Sequence, residues 1–180
     1  MDRHRRKVEL LGGGLTIGDV PPHDPAAERW GLNRLMFSRY AGNFTDWHRW
    51  FDLHSTAHIL RYRPDAYAWY TQQPANKPIY RWAHDAALPG CCVYPRERVA
   101  DADERDFACS LAWMFALAIA EGFDDIDCFW FVVDPNEPAY RDQIASVRYW
   151  IGRARGAGLR VTIHGDSFLK PSGRLYGYES

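Results

Sequence analysis

The sequence predicts an α/β fold in which a mostly parallel sheet lies between two layers of helices. Three observations lead there. The first apolar stretch, Lys7–Leu11, breaks into three consecutive glycines, Gly12, Gly13 and Gly14. Strand-like and helix-like segments alternate through the second half of the chain, as they do when parallel strands are joined by helical crossovers. The run Cys128-Phe129-Trp130-Phe131-Val132-Val133 is apolar without a break, the pattern of a central strand covered on both faces.

Taken in order, a strand over Lys7–Leu11 ends at the glycines, where the missing Cβ lets backbone N–H groups approach an anion. The segment Ile17-Gly18-Asp19-Val20-Pro21-Pro22 has room for at most one helical turn, because a glycine and two prolines interrupt it. Glu28–Leu32 reads as a second strand closed by Asn33, and Arg34–Asp46 as irregular. Arg49–His54 is a third strand. Ser55 or Thr56 can cap a helix from Ala57 to about Gln73, which Pro64 splits. Pro78–Trp82 and Cys91–Tyr94 supply a fourth and a short fifth strand. A helix from about Asp106 to Glu121 stops at Gly122; it is apolar nearly all round and is therefore expected to be buried. Asp127–Val133 is the central strand, ending at Asp134-Pro135. A helix from Ala139 to about Arg155 precedes the last strand, Leu159–Ile163. No repeat, low-complexity tract or linker divides the chain. The expectation is one Rossmann-like domain over residues 1–180, an α/β three-layer sandwich, with residues 1–6 a frayed tail and 166–180 mostly loop.

The composition, 47% hydrophobic and 25% charged over 180 residues, is that of a folded globular chain. A net charge of −1 gives no electrostatic argument for nucleic acid or an anionic membrane. The basic cluster Arg3–Lys7 reads as a solvated tail. Cys91, Cys92, Cys109 and Cys128 form no CxxC pair and no zinc-ligand spacing, which fits reduced thiols in a cytoplasmic protein. The most apolar window, Leu111–Ala120, is about half of a membrane span.

Several residue groups carry chemistry. The N–H groups of the glycine loop, with the Thr16 hydroxyl, can hold phosphate oxygens; the plain alternative is a tight turn. Asn33 at a strand end can donate and accept toward a base or ribose, or close a turn on its own backbone. Ser110, at the start of the buried helix, can meet a ligand anion with free N–H groups or act as an ordinary first-turn serine. Asp52 and His54 share one face at the end of the third strand, where a carboxylate can fix the tautomer of a histidine and make it a general base. His58, four residues on, makes a metal site conceivable on weak grounds. Asp134 ends the most apolar strand, the usual address of a catalytic or Mg²⁺-binding carboxylate in this fold class. His164 with Asp166 and Ser167 ends the last strand. Trp47, Trp50, Trp69, Tyr70 and Tyr80 can pack the core or form a stacking platform.

Four segments resemble bacterial sialyltransferases and the related 6-hydroxymethylpterin diphosphokinases of methanogens. Leu10-Leu11-Gly12-Gly13-Gly14-Leu15-Thr16 stands where the sialyltransferases have a Gly-Asn-Gly-Pro-Ser loop, and Trp30-Gly31-Leu32-Asn33 ends in their strand-end asparagine. Ala108-Cys109-Ser110 through Ala118-Ile119-Ala120-Glu121-Gly122, then Val133-Asp134, is similar in spacing to their helix start, helix ending and strand end. Gly165-Asp166-Ser167-Phe168-Leu169 is similar to the Asn-Ser-Leu-Leu after their last strand. Small tailed-phage proteins also resemble the chain, including its Arg49–His54 stretch. The resemblance implies a Rossmann-like domain that binds a cytidine or other nucleotide and transfers a group. The sialyltransferase base is a histidine before the last strand, and Asn136–Ala157 contains none.

The expectation is a nucleotide-dependent group transferase with a nucleotide-sugar donor. Gly12, Gly13, Gly14 and Thr16 would hold its phosphate, Asn33 and Ser110 its nucleoside, with Asp134 at the rim. His54 or Asp52 would deprotonate an unnamed acceptor. The rivals are a phosphotransferase with Mg²⁺ at Asp134, a phage-type protein that binds a nucleotide without turnover, and an assembly protein that keeps only the fold. The partner expected is a small nucleotide ligand, without membrane or nucleic acid, in the cytoplasm (of a host cell if phage-encoded), with homo-oligomers left open.

Overall fold

The computed structural model describes residues 5–12, 22–37, 46–99, 106–129, 136–165 and 167–170. Seven strands, β1 (Lys7–Leu11), β2 (Ala27–Leu32), β3 (Arg49–Phe51), β4 (Ile79–Arg81), β5 (Cys91–Val93), β6 (Asp125–Phe129) and β7 (Arg160–Ile163), form one sheet in the order β5-β4-β3-β2-β1-β6-β7. Every pairing is parallel. Among the described residues four α-helices accompany it: α1 (Thr56–Tyr62), α2 (Pro64–Thr71), α3 (Ser110–Ala120) and α4 (Pro138–Gly156).

Alternation along the strands sorts the two faces. Val8, Leu10, Trp30, Phe51, Ile126 and Cys128 pack with α3 and α4 on one face. Leu11, Trp50 and Ile79 pack with Ile59, Ala66 and Tyr70 of α1 and α2 on the other. The α3 helix is buried at every residue from Leu111 to Ala118, as its all-round apolar sequence demands. Trp47, Trp50 and Tyr70, candidates for a stacking platform, are core residues.

Local chemistry explains where the elements stop. Ser55 caps α1 by accepting from the His58 N–H, and Pro64 begins α2 rather than continuing α1, because proline lacks the N–H a helix interior requires. The helix expected from Asp106 starts at Ser110, since Cys109 is extended (φ −159°, ψ 164°). The strand expected at Asp127–Val133 begins two residues earlier, at Asp125; residues 130–135 lie outside the described residues. Gly31, in the interior of β2, faces Trp50: a Cβ there would stand 2.4 Å from Trp50 Cζ3. The glycine makes room for the indole.

The strand order places β1 between β2 and β6, so the chain builds outward from β1 in both directions. In open α/β sheets such a reversal marks the crevice at the carboxyl ends of the strands where ligands bind.

Candidate functional site

At the carboxyl edge, β2, β3 and β4 end at matching levels. Gly31 is in register with Trp50, and Trp50 with Ile79. Two residues further along each strand come Asn33, Asp52 and Arg81, which therefore share the face covered by α1 and α2. The ladder runs up to them: the Asn33 N–H donates to the Phe51 carbonyl at 2.8 Å and the Asp52 N–H to the Tyr80 carbonyl at 3.2 Å.

Asp52 is the centre of this row. Its side chain is 0% exposed, and its Oδ1 stands 2.7 Å from His54 Nδ1. The His54 backbone N–H also donates to Oδ1, at 3.2 Å, and the Tyr70 hydroxyl donates to Oδ2 at 2.7 Å. Burial acts to raise this carboxyl, but the hydrogen bonds from His54 and Tyr70 outweigh it and hold Asp52 below the usual carboxylate range. Tyr70 itself is pushed far up, by burial first and then by the Asp52 charge.

His54 has two neighbours at Nδ1 that require opposite tautomers. Asp52 needs a proton there, whereas Arg63 NH1, 3.2 Å away, would need a lone pair. The carboxylate contact is shorter and charged, so the proton belongs on Nδ1. Nε2 then carries the lone pair, on a side chain 32% exposed. A buried carboxylate, an oriented imidazole and a free Nε2 are the parts of a general base.

Arg81 is 2% exposed and donates through NH2 to the His54 carbonyl at 3.1 Å and to Thr56 Oγ1 at 3.2 Å. Among the described residues its Nε and NH1 have no hydrogen-bond partner, and neither does the buried Oδ1 of Asn33. Asn33 has φ 48°; its carbonyl accepts from Trp50 Nε1 at 3.0 Å, and the Tyr70 hydroxyl oxygen stands at the same distance. The Asn33 Oδ1 does not close a turn on its own backbone; among the described residues it has no hydrogen-bond partner.

Gly12, at the end of β1, donates its N–H to the Phe129 carbonyl of β6 at 2.9 Å, so that donor ties two strands together. Gly13, Gly14, Thr16 and Asp134 lie outside the described residues, as does Asp166. Ser110 is the first residue of α3, half-buried. His58 stacks its ring on His54 (centroids 4.8 Å, 17° between planes). Among the described residues no group of three or more His, Cys, Asp or Glu is arranged to hold a metal. His164 stands 3.3 Å from Asp127 Oδ1 and stacks on Phe129. Arg63 and Arg81 were not singled out from the sequence, and Tyr70 was considered only as a ring. The alternation that placed Asp52 beside His54 also puts Arg81 on the face of Ile79, so a charged residue closing an apolar strand was the available signal.

Seven parallel strands in this order, with helices on both faces, define a Rossmann-like α/β protein. Among solved structures the chain is similar to the sialyltransferase CstII from Campylobacter jejuni in complex with a substrate analogue, cytidine-5'-monophosphate. That match has a TM-score of 0.53 and 15% identity, over 87% of this chain and 78% of that one. The same enzyme in complex with CMP-3FNeuAc matches with a TM-score of 0.53 and 14% identity, over 88% and 79%. The likeness at this identity is one of fold. No family model matches the chain, and no curated protein matches it in sequence. No helix among the described residues is long and apolar enough to cross a membrane.

Proposed function

We propose that the protein is a nucleotide-dependent group transferase that uses a nucleotide-sugar donor, with His54 as the base and Asp52 as its partner. The observation that carries this reading is the fully buried Asp52 carboxylate 2.7 Å from His54 Nδ1, at the carboxyl edge of a parallel sheet. The fold it shares with a sialyltransferase held in complex with cytidine-5'-monophosphate supports the class of donor.

In this scheme the acceptor hydroxyl gives its proton to His54 Nε2 as its oxygen bonds to the anomeric carbon of the donor. The bond from that carbon to the phosphate oxygen breaks, and the electron pair leaves with the nucleotide. The imidazolium that forms is stabilised by Asp52. The N–H groups of Gly13, Gly14 and Leu15, with the Thr16 hydroxyl, would receive the phosphate charge, and Gly12 would end the strand that presents them. Adjacent strands are about 4.8 Å apart. The strand β3, which leads into His54, therefore lies about 10 Å across the sheet from β1, a span a bound nucleotide sugar can bridge. Asn33 would offer its unengaged Oδ1 to the nucleoside, with Ser110 and Asp134 at the rim.

The test is a thermal-shift screen of nucleotides and nucleotide sugars, followed by product analysis by mass spectrometry on the ligands that bind. A ligand at 100 times its Kd stabilises the fold by about 2.7 kcal/mol, which raises Tm by several degrees. Gly13→Val should abolish the shift, and His54→Gln should keep it while losing product. Binding without product over hours would instead make the protein a nucleotide-capturing module, the reading favoured by the lack of any histidine in α4. Turnover lost with EDTA would point to a Mg²⁺-dependent phosphotransferase using Asp134. No shift with any nucleotide would leave a scaffold.

A further inference from the structure

We propose that Tyr70 is a positioning residue for the Asp52–His54 pair, fixing which carboxylate oxygen faces the imidazole and how tightly the imidazole holds a proton. The inference rests on the reading of His54 as the base. Tyr70 sits on α2, fully buried, and its single hydroxyl proton has two acceptors within reach: Asp52 Oδ2 at 2.7 Å and the Asn33 carbonyl at 3.0 Å. The carboxylate is nearer and charged, and Trp50 Nε1 already supplies Asn33 with a donor at 3.0 Å. The phenol proton therefore belongs to Asp52.

With Oδ2 occupied, Oδ1 is left to His54, through the backbone N–H at 3.2 Å and Nδ1 at 2.7 Å. A carboxylate without solvent is thus gripped from both sides. Burial and the Asp52 charge push the phenol far above its usual range, so it remains a donor at every working pH. A phenol donor draws negative charge toward Oδ2 and weakens the hold of Oδ1 on an imidazolium. Removing that donor leaves more of the charge on Oδ1, facing His54, and strengthens its hold on an imidazolium.

The other groups facing His54 are Arg63 at Nδ1, Arg81 at its carbonyl oxygen and His58 stacked on its ring. Asp85 lies behind Thr56, whose hydroxyl is 3.3 Å from Asp85 Oδ2. Among the described residues none of these groups hydrogen-bonds the Tyr70 hydroxyl, and of them only Arg81 also acts on it through its charge, so changing Tyr70 reaches His54 chiefly through Asp52. The same hydroxyl touches Asn33, which joins the end of β2 to the base that follows β3.

The experiment is an NMR titration of the His54 imidazole in the full chain, before and after Tyr70→Phe. The expected result is a midpoint raised by about one pH unit, with the acidic limb of the turnover profile moved by the same amount. In an Asp52→Asn background, Tyr70→Phe should add no shift. A midpoint that stays or falls overturns the proposal, as does an equal shift in the Asp52→Asn background. Should Tyr70→Phe fail to fold, tyrosine labelled at Cζ in the unmutated chain gives a second measurement. One tyrosine resonance must then titrate with the His54 midpoint, and the absence of any such resonance overturns the proposal. A midpoint that moves in a protein with no transferase turnover upholds the link from Tyr70 to His54 and removes the proposed function.

Discussion

Of the histidine–aspartate pairs among the described residues, Asp52–His54 and Asp127–His164 differ in nearly everything except residue type. The Asp52 carboxylate is 0% exposed and 2.7 Å from its histidine; Asp127 is 17% exposed and 3.3 Å from His164. The second oxygen of Asp52 is held by a neutral phenol. The second oxygen of Asp127 is held by the Lys7 ammonium at 2.8 Å. Burial acts to raise Asp127, and the Lys7 hydrogen bond, together with the neighbouring His164, brings it below the usual range. The contrast is one of charge balance. A cation already neutralises Asp127, so it has little charge left with which to stabilise an imidazolium, and His164 packs flat on Phe129 (4.1 Å, 8°). Asp52 has only neutral hydrogen-bond donors at its oxygens until His54 takes up a proton.

The comparison can be broken most sharply by activity. His54→Gln should lower turnover by about 10²- to 10⁴-fold, the range of a lost general base, while His164→Gln should leave it within a few-fold. Equal losses would erase the distinction. Stability comes next. Asp52→Ala leaves the Tyr70 hydroxyl and His54 Nδ1 without their acceptor in a dry environment. It should cost about 2–3 kcal/mol, read from urea denaturation. Asp127→Ala, in a more exposed setting, should cost about 1 kcal/mol or less.

Acid sharpens the comparison further. The folded-state carboxyl of Asp52 is held below its ordinary value. Its contribution is therefore present in full above the unfolded value, about pH 4, and is lost as pH falls through the folded value. Denaturation curves of the unmutated chain and Asp52→Asn should differ most above about pH 4 and converge below it. Asp127→Asn should show the same sign with a smaller gap. The smallest effect belongs to the scaffold behind His54: Ser55→Ala removes the α1 cap and should cost about 1 kcal/mol.

Much of this arrangement could be read before any coordinates. The glycine break after Leu11, the proline at 64 and the apolar run after Asp127 each act locally, through backbone freedom, a missing N–H or continuous burial, so they marked elements within a few residues. The Asp52–His54 pairing was legible because residues two apart at a strand end share a side. What supports that pair was not. Tyr70 is 18 residues from Asp52 and Arg81 is 27 from His54. They meet only because α2 folds back over β3 and because β4 lies beside it. The role of Gly31 was equally hidden, since only the packed sheet brings Trp50 over it. The start of α3 was placed too early because Asp106–Cys109 is compatible with a helix locally, yet Cys109 is extended at the edge of the core.

The left-handed backbone of Asn33 has a practical consequence. A φ of 48° is a conformation glycine adopts at no steric cost, so Asn33→Gly should preserve the carbonyl that Tyr70 and Trp50 share while deleting the carboxamide. Scaffold and recognition are therefore separable at a single residue. Affinity lost in that variant, with melting unchanged, would measure what the amide alone contributes to a guest molecule.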